Sequence, residues 1–222
     1  MYKSNNIKKQ GSCLICFNDL LDSVSLTNIF SLNKICDKCL NSFKHLNIHK
    51  KIIGTDVWFL YEYNAFIKKL IYQYKGCYDI ELKDVFLNKY KKIIKRKYKG
   101  YTIIFPPSNK EDNLARGFLH IEEIIKTLKM KYEILFYKKE NYKQSNLKYN
   151  ERKNVEHIID VIDKKKITNK KYLIFDDIYT SGSTLKTIIK ILLKNNVKKE
   201  NISSIIIAKT SNFVEIWHTL FV

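Results

Sequence analysis

Prolines and arginines are scarce in this 222-residue chain: Pro106 and Pro107 are the only prolines, and arginine occurs only at 96, 116 and 152. No apolar run approaches the ~18 residues that would mark a membrane span. The opening "MYKSNNIKKQ" lacks the apolar centre of a secretory signal. These absences predict a cytoplasmic chain with no membrane insertion. Internal repeats and low-complexity linkers are missing too. Neither G-x-x-x-x-G-K-[ST] nor G-x-G-x-x-G occurs. A P-loop nucleotidase and a dinucleotide-binding fold are thereby set aside.

Basic charge is abundant. Lysine and arginine number 41 against 22 acids, a formal net charge of +19, with a sequence pI near 9.6. Such a surplus produces a field that attracts polyanions, nucleic acid first among them. The dominance of lysine over arginine, in a chain also rich in Ile, Asn and Tyr, is a pattern that genome base composition can impose. The charge is present whatever its origin.

Four of the five cysteines fall as C-x₂-C, nineteen residues, C-x₂-C: Cys13, Cys16, Cys36 and Cys39. Two such knuckles supply a closed tetrahedral thiolate shell, so a structural Zn²⁺ with no open coordination position is expected. Cys77 reads as a free core thiol. His45 and His49, four apart, would share one face of a helix, and a solvated or packed pair is the expected role.

The densest chemistry lies in "YLIFDDIYTSGSTLKTIIKIL", residues 172–192. "YLIF" suits a buried strand, and Leu185, Ile188, Ile189, Leu192 and Leu193 recur at helical spacing. The loop Ile178–Thr184 therefore joins strand to helix. A helix N-terminus offers unpaired N–H groups, and Gly182 lets the backbone close around an anion. Asp176 and Asp177 cannot themselves hold a phosphate; they call for hydroxyl groups or Mg²⁺ on the same ligand. A sugar phosphate satisfies both halves. Strand-end acids and an ordinary helix cap are the plainer alternative.

Between these regions, "TDVWFLYEY" (55–63) reads as a linker entering a strand. Leu82, Val85, Phe86, Tyr90, Ile93 and Ile94 mark one helix face, with lysines over much of the rest. Lys91, Lys92, Lys95, Arg96 and Lys97, with Tyr90 and Tyr98 interleaved, are candidates for a phosphate backbone with bases stacked on the rings; a solvated face is the alternative. "YTIIFPPS" (101–108) is a second strand-to-loop passage, stiffened by two X-Pro bonds of the kind that can be cis. Leu114, Phe118, Ile121, Ile125 and Leu128 trace a helix, and "YEILFY" a strand. Alternating strands and helices imply an α/β fold with a parallel sheet whose carboxyl edge carries Pro106–Ser108 and Asp176–Thr184 together. The apolar end "FVEIWHTLFV" suits a last strand or a partner-covered patch.

"LIFDDIYTSGSTL" resembles the phosphoribosyl-pyrophosphate motif of type I phosphoribosyltransferases. The zinc knuckles, "YKG" at 74–76, "ARGF" at 115–118, and Gln144, Leu147, Arg152, Asn154 and Val155 narrow the resemblance to the ComF family, which is associated with DNA uptake in natural transformation. It covers nearly the whole chain and implies a zinc module over 1–54 and a phosphoribosyltransferase-like domain over 55–222. It further implies that Asp176 and Asp177 meet the ribose hydroxyls, and that Thr180, Ser181, Gly182, Ser183 and Thr184 hold the 5-phosphate. Pro106, Pro107 and Ser108 would approach the pyrophosphate with its Mg²⁺. Arg116 would add positive charge from a mobile loop, completing a catalytic set with Asp176 and Asp177. Arg116 and Arg152 also stand out unaided, because guanidinium persists where a planar fork is needed; Arg152 joins the nucleic-acid candidates. Leu119 replaces an amide of the family pattern, and "FPPS" departs from alternating prolines, changes that binding tolerates better than turnover does. The expected function is a zinc-containing, phosphoribosyl-pyrophosphate-binding protein of DNA uptake that binds single-stranded DNA alongside other uptake proteins. The alternative is an active transferase with an unidentified nucleobase-like acceptor. A pure assembly adaptor is a third reading.

Overall fold

The computed structural model describes residues 11–20, 34–139 and 158–210. Contacts divide the chain into two compact units, Met1–Lys44 and His45–Val222. Of the first, the described part holds the two cysteine knuckles and a short helix, α1 (Asp37–Asn41), which starts directly after Cys36.

The second unit is built on a five-stranded sheet. Its first two strands, β1 (His45–Ile52) and β2 (Thr55–Glu62), form an antiparallel hairpin with Ile52 opposite Thr55. The two connecting residues, Ile53 and Gly54, have φ of 51° and 78°. That is the turn whose twist matches its strands, although a β-branched residue occupies its first position. The remaining strands are β3 (Thr102–Ile104), β6 (Tyr172–Tyr179) and β7 (Ile202–Lys209), and the sheet order is β1-β2-β7-β6-β3. β2, β7, β6 and β3 all run parallel. The expected α/β class with a mostly parallel sheet is thus borne out. Parallel neighbours need long crossovers, and helix α6 (Ser183–Lys194) supplies the one between β6 and β7.

Alternation along the strands sorts the core into two faces. Val57 and Phe59 of β2, Ile104 of β3, Tyr172 and Ile174 of β6, and Ile202 and Ile206 of β7 pack with Leu185, Ile188, Ile189 and Leu192 of α6. The intervening residues, Leu173 and Phe175 among them, face the other way and are fully buried. On that side lie α2 (Ala65–Gly76), capped by the Asn64 side chain on Ile67 N, and α5 (His120–Lys126). β7, "ISSIIIAK", is absent from the sequence-based elements. It is buried on both faces between β2 and β6, so it carries no apolar–polar alternation to reveal it.

Several expectations are corrected. His45 and His49 lie on strand β1, not a helix. The apolar series from Leu82 to Ile94 is a 3-10 turn (Ile80–Asp84), a run of turns, and α3 (Lys91–Lys97). Val85, Phe86 and Leu87 are all buried, which no amphipathic helix presenting a single face allows, and Ile93 is 43% exposed. The series from Leu114 to Leu128 is two helices, α4 (Lys110–Arg116) and α5, parted at Gly117, whose φ of 78° ends the first. Of "YEILFY" only β4 (Phe136–Lys138) is a strand, paired with β5 (Ile159–Val161) outside the main sheet. Cys77 is exposed, not a core thiol. Pro106 and Pro107 both follow trans bonds. "FVEIWHTLFV", Gln144, Leu147, Arg152, Asn154 and Val155 lie outside the described residues.

Candidate functional site

β6 does not stop before its acids. Asp176 and Asp177 both lie inside the strand, which runs to Tyr179, so the joining loop is shorter than the Ile178–Thr184 expected. Pleating then turns the two carboxylates to opposite faces of the sheet. Asp176 follows Tyr172 and Ile174 toward α6, and it lines an open cleft with Thr180, Gly182, Ser183 and Thr184. Asp177 follows Leu173 and Phe175 to the other side and is buried.

The cleft floor is the strand-to-helix junction. Gly182, at φ 71°, is the N-cap of α6 and brings no side chain to the first turn. A Cβ there would collide with the ring and hydroxyl of Tyr179, which packs edge-on against Phe59 at 5.1 Å. Both its dihedral and its neighbour therefore require glycine. Ser181 Oγ donates to Ser183 Oγ at 3.0 Å and accepts from Ser183 N at 3.3 Å. The result is a polar bend at a helix start, suited to an anion. Burial, then the adjacent Asp177 charge, push the Asp176 carboxyl well above its usual range. Hydroxyl donors or a divalent cation in the cleft would relieve that cost.

Asp177 has the reverse environment. The Lys75 ammonium, at the end of α2, pairs with its Oδ2, and His120 Nε2 lies 3.4 Å from the same oxygen. Burial by itself would raise this carboxyl, but the close His120 Nε2–H and the Lys75 charge outweigh it and hold Asp177 well below the usual range. Arg116 Nη1 meets His120 Nδ1 at 3.1 Å, and its Nε donates to Lys75 O at 3.1 Å. Guanidinium only donates, so Nδ1 carries the lone pair and the imidazole proton sits on Nε2, facing Asp177. Burial lowers the His120 pKa, and the Lys75 and Arg116 charges lower it further, against the opposing pull of Asp177, so the ring is neutral. Sequence reading passed over His120 and saw Lys75 only as part of "YKG". The spacing of Arg116 and His120 held a clue, but the intervening Gly117 break changes what that spacing means.

Pro106–Ser108 follows β3 and so lies on the same carboxyl edge as the Asp176 cleft, as expected. Ser108 Oγ donates to Asn113 Oδ1 at 2.8 Å, and Arg116 Nη1 reaches that oxygen at 3.4 Å. Arg116 belongs to the last turn of α4 and is half-buried.

The lysine-rich helix is revised in one respect. Tyr90 and Tyr98 are 6% and 4% exposed, so neither ring can stack on a base. Lys92, Lys95, Arg96 and Lys97 are exposed and Lys91 half-buried. Lys97 Nζ lies 5.0 Å over Trp58 and 3.4 Å from His49 Nε2, and His49 stacks on Trp58 at 5.3 Å.

In the N-terminal unit, one Sγ from each of Cys13, Cys16, Cys36 and Cys39 lies within 4.8 Å of the others. Tetrahedral ligation at ~2.3 Å per sulfur sets edges of about 3.8 Å, and Cys16 and Cys36 Sγ are 3.6 Å apart. Burial opposes the Cys13 thiolate, yet amide hydrogen bonds led by Cys36 N bring its pKa down to about 7. Burial, then the neighbouring thiols, push Cys39 upward. Such crowded sulfurs form four thiolates only around a cation, so this cluster can bind a metal ion.

No family model matches the chain. It is similar to Competence protein ComFC of Streptococcus pneumoniae, 24% identical over 212 residues, spanning 84% of this chain and 95% of that protein. Competence protein ComFC of Bacillus subtilis is 23% identical over 223 residues, with 86% and 92% covered. The resemblance to ComF proteins is therefore borne out along most of the chain. Solved structures similar to it include hypoxanthine phosphoribosyltransferases of Staphylococcus aureus (TM-score 0.37, 17% identity, 60% of this chain and 69% of that one) and Trypanosoma cruzi (0.37, 9%, 60% and 79%). Neither likeness is close enough to bear on the site. Among the described residues no helix is long and apolar enough to cross a membrane.

Proposed function

We propose that this chain is a DNA-uptake protein of the ComF kind that binds phosphoribosyl pyrophosphate and single-stranded DNA. One observation carries the first half: Asp176 and the Thr180–Thr184 bend open onto a single cleft at the carboxyl edge of a parallel sheet. The bend takes the 5-phosphate through N–H and hydroxyl groups, and Asp176 takes ribose hydroxyls. Asp177 stands behind it on the other face, completing the acid pair of the motif. Pro106, Pro107, Ser108 and Arg116 lie where the pyrophosphate end extends, with Mg²⁺ carried in on the ligand. Cys13, Cys16, Cys36 and Cys39 hold a structural Zn²⁺, which stabilises the N-terminal unit and performs no chemistry.

The similarity to competence proteins and the net charge of +19 support the nucleic-acid half. With Tyr90 and Tyr98 buried, binding by α3 is directed at phosphates through Lys92, Lys95, Arg96 and Lys97. Fluorescence anisotropy with an oligothymidylate across a salt series tests this. Affinity should fall steeply with salt, and Lys92→Ala plus Lys95→Ala should flatten the log–log slope by about 0.7 for each phosphate no longer neutralised. Undetectable or salt-independent binding overturns it. Calorimetry with phosphoribosyl pyrophosphate and Mg²⁺ tests the other half, and absence of heat sinks it.

Turnover as a phosphoribosyltransferase is the second reading. It is favoured by Arg116, a half-buried cation that no carboxylate among the described residues pairs and that a departing pyrophosphate would engage. Pyrophosphate release across a panel of nucleobases decides it.

A further inference from the structure

Arg116, His120, Asp177 and Lys75 close a circuit: Arg116 Nη1 on His120 Nδ1, His120 Nε2 on Asp177 Oδ2, Lys75 Nζ on the same carboxylate, and Arg116 Nε on the Lys75 carbonyl. Every member sits on a different element or joint. Lys75 is in the last turn of α2, Arg116 ends α4, His120 opens α5 and Asp177 belongs to β6. A branch through Asn113 reaches Ser108, tying the proline loop to the same circuit. The backbone below is pinned as well, since Tyr74 Oη donates to His120 O at 2.6 Å.

We infer that His120 and Lys75 are positioning residues that set the Arg116 guanidinium for the pyrophosphate end of the ligand, a role resting on the phosphoribosyl-pyrophosphate reading. The chemistry of the circuit fixes this role. Two cations and one carboxylate leave an excess of one positive charge, because His120 is neutral. That excess resides on Arg116, since Lys75 is neutralised by Asp177. Nε and Nη1 of Arg116 are committed, whereas Nη2 meets no acceptor among the described residues. A guanidinium held through Nε and Nη1 presents Nη2, which lies between them, in a fixed plane, and that is the form of preorganisation that an oxyanion rewards. His120 is the one member that can both accept from Arg116 and donate to Asp177. It therefore transmits the strand's position to the α4 end, where Gly117 would otherwise let the chain swing.

The sugar-phosphate end of the ligand depends on different groups, the Asp176 face and the Thr180–Thr184 bend. The circuit should consequently act on one end of the ligand only. The test is calorimetry on the full chain with Mg²⁺, comparing phosphoribosyl pyrophosphate with ribose 5-phosphate for wild type, His120→Leu, His120→Gln and Arg116→Lys, with thermal melts alongside. His120→Leu and Arg116→Lys should each weaken phosphoribosyl pyrophosphate by roughly tenfold or more, the scale of one charge-assisted hydrogen bond, while ribose 5-phosphate changes by less than about twofold. His120→Gln, which keeps an acceptor and a donor, should recover most of the loss. If His120→Leu and Arg116→Lys weaken both ligands equally, or neither, the positioning role is overturned. If His120→Leu melts out of the folded range, Lys75→Met takes its place and is read by the same two outcomes. Wild type that binds neither ligand overturns the functional reading itself.

Discussion

Asp176 and Asp177 are separated by one peptide bond, yet they occupy opposite electrostatic regimes. On the α6 side Asp176 meets a cleft, a neighbouring negative charge and a helix start, and its carboxyl is pushed up. On the α2 and α5 side Asp177 meets an ammonium and an imidazole N–H, and its carboxyl is pulled down. Strand pleating alone produces the division, because consecutive side chains must leave the sheet in opposite directions. One acid is left expensive, and the other is compensated in advance. Two adjacent aspartates thus give one sheet edge both an acid that lines a cleft and an acid locked into the frame.

The sharpest way to break this contrast is Asp177→Ala. It strands Lys75 and His120 on the inner face and should destabilise the fold by about 3 kcal/mol, read from urea unfolding. A loss below that of an ordinary surface substitution would mean that the pair is not integral to the frame.

Acid titration distinguishes the two sides next. His120 has a folded pKa below its ordinary 6.5, so the unfolded chain binds the extra proton and stability declines as pH falls through and below that value. Asp177, depressed below 3.8, adds a further loss beneath that pH. Asp176, raised, works the opposite way and regains stability as it protonates. Between pH 7 and 5 the wild type should therefore show a shallow profile in which His120 and Asp176 oppose each other. Asp176→Asn removes one side, and its stability should fall more steeply over that interval; unchanged curvature would contradict the assignment.

The smallest effect is the most diagnostic of a ligand-directed group. At pH 7 Asp176→Asn should stabilise the free protein, because the amide carries none of the burial and like-charge cost that raises this carboxyl, while abolishing calorimetric binding of phosphoribosyl pyrophosphate. Destabilisation instead would place Asp176 in the frame with its neighbour.

Legibility in the sequence follows how local each signal is. The cysteine spacing pointed to a four-sulfur cluster, because two C-x₂-C turns each position a pair of sulfurs without help from the rest of the chain. "YLIFDDIYTSGSTLKTIIKIL" announced strand, bend and helix, since β propensity, Gly182 and the α6 spacing all act within one segment. Tyr90 and Tyr98 misled for the complementary reason: aromatic residues beside lysines look like a stacking surface, and only packing buries them. β7 was hidden by its burial on both faces, and the break at Gly117 by a spacing that suits one helix as well as two.

By itself the sequence determined the metal-type knuckles, the hydroxyl-rich bend between strand and helix, the parallel α/β class and the excess of positive charge, all properties of short stretches or of simple counts. Only tertiary structure decided that Asp176 and Asp177 part company, that Lys75 and His120 claim the second of them, and that Arg116 stands in the same circuit as Ser108. Those interactions join residues as distant in sequence as Lys75 and Asp177. Side-chain chemistry acts through ångström distances, and no local pattern records which distant segments the sheet will bring within them.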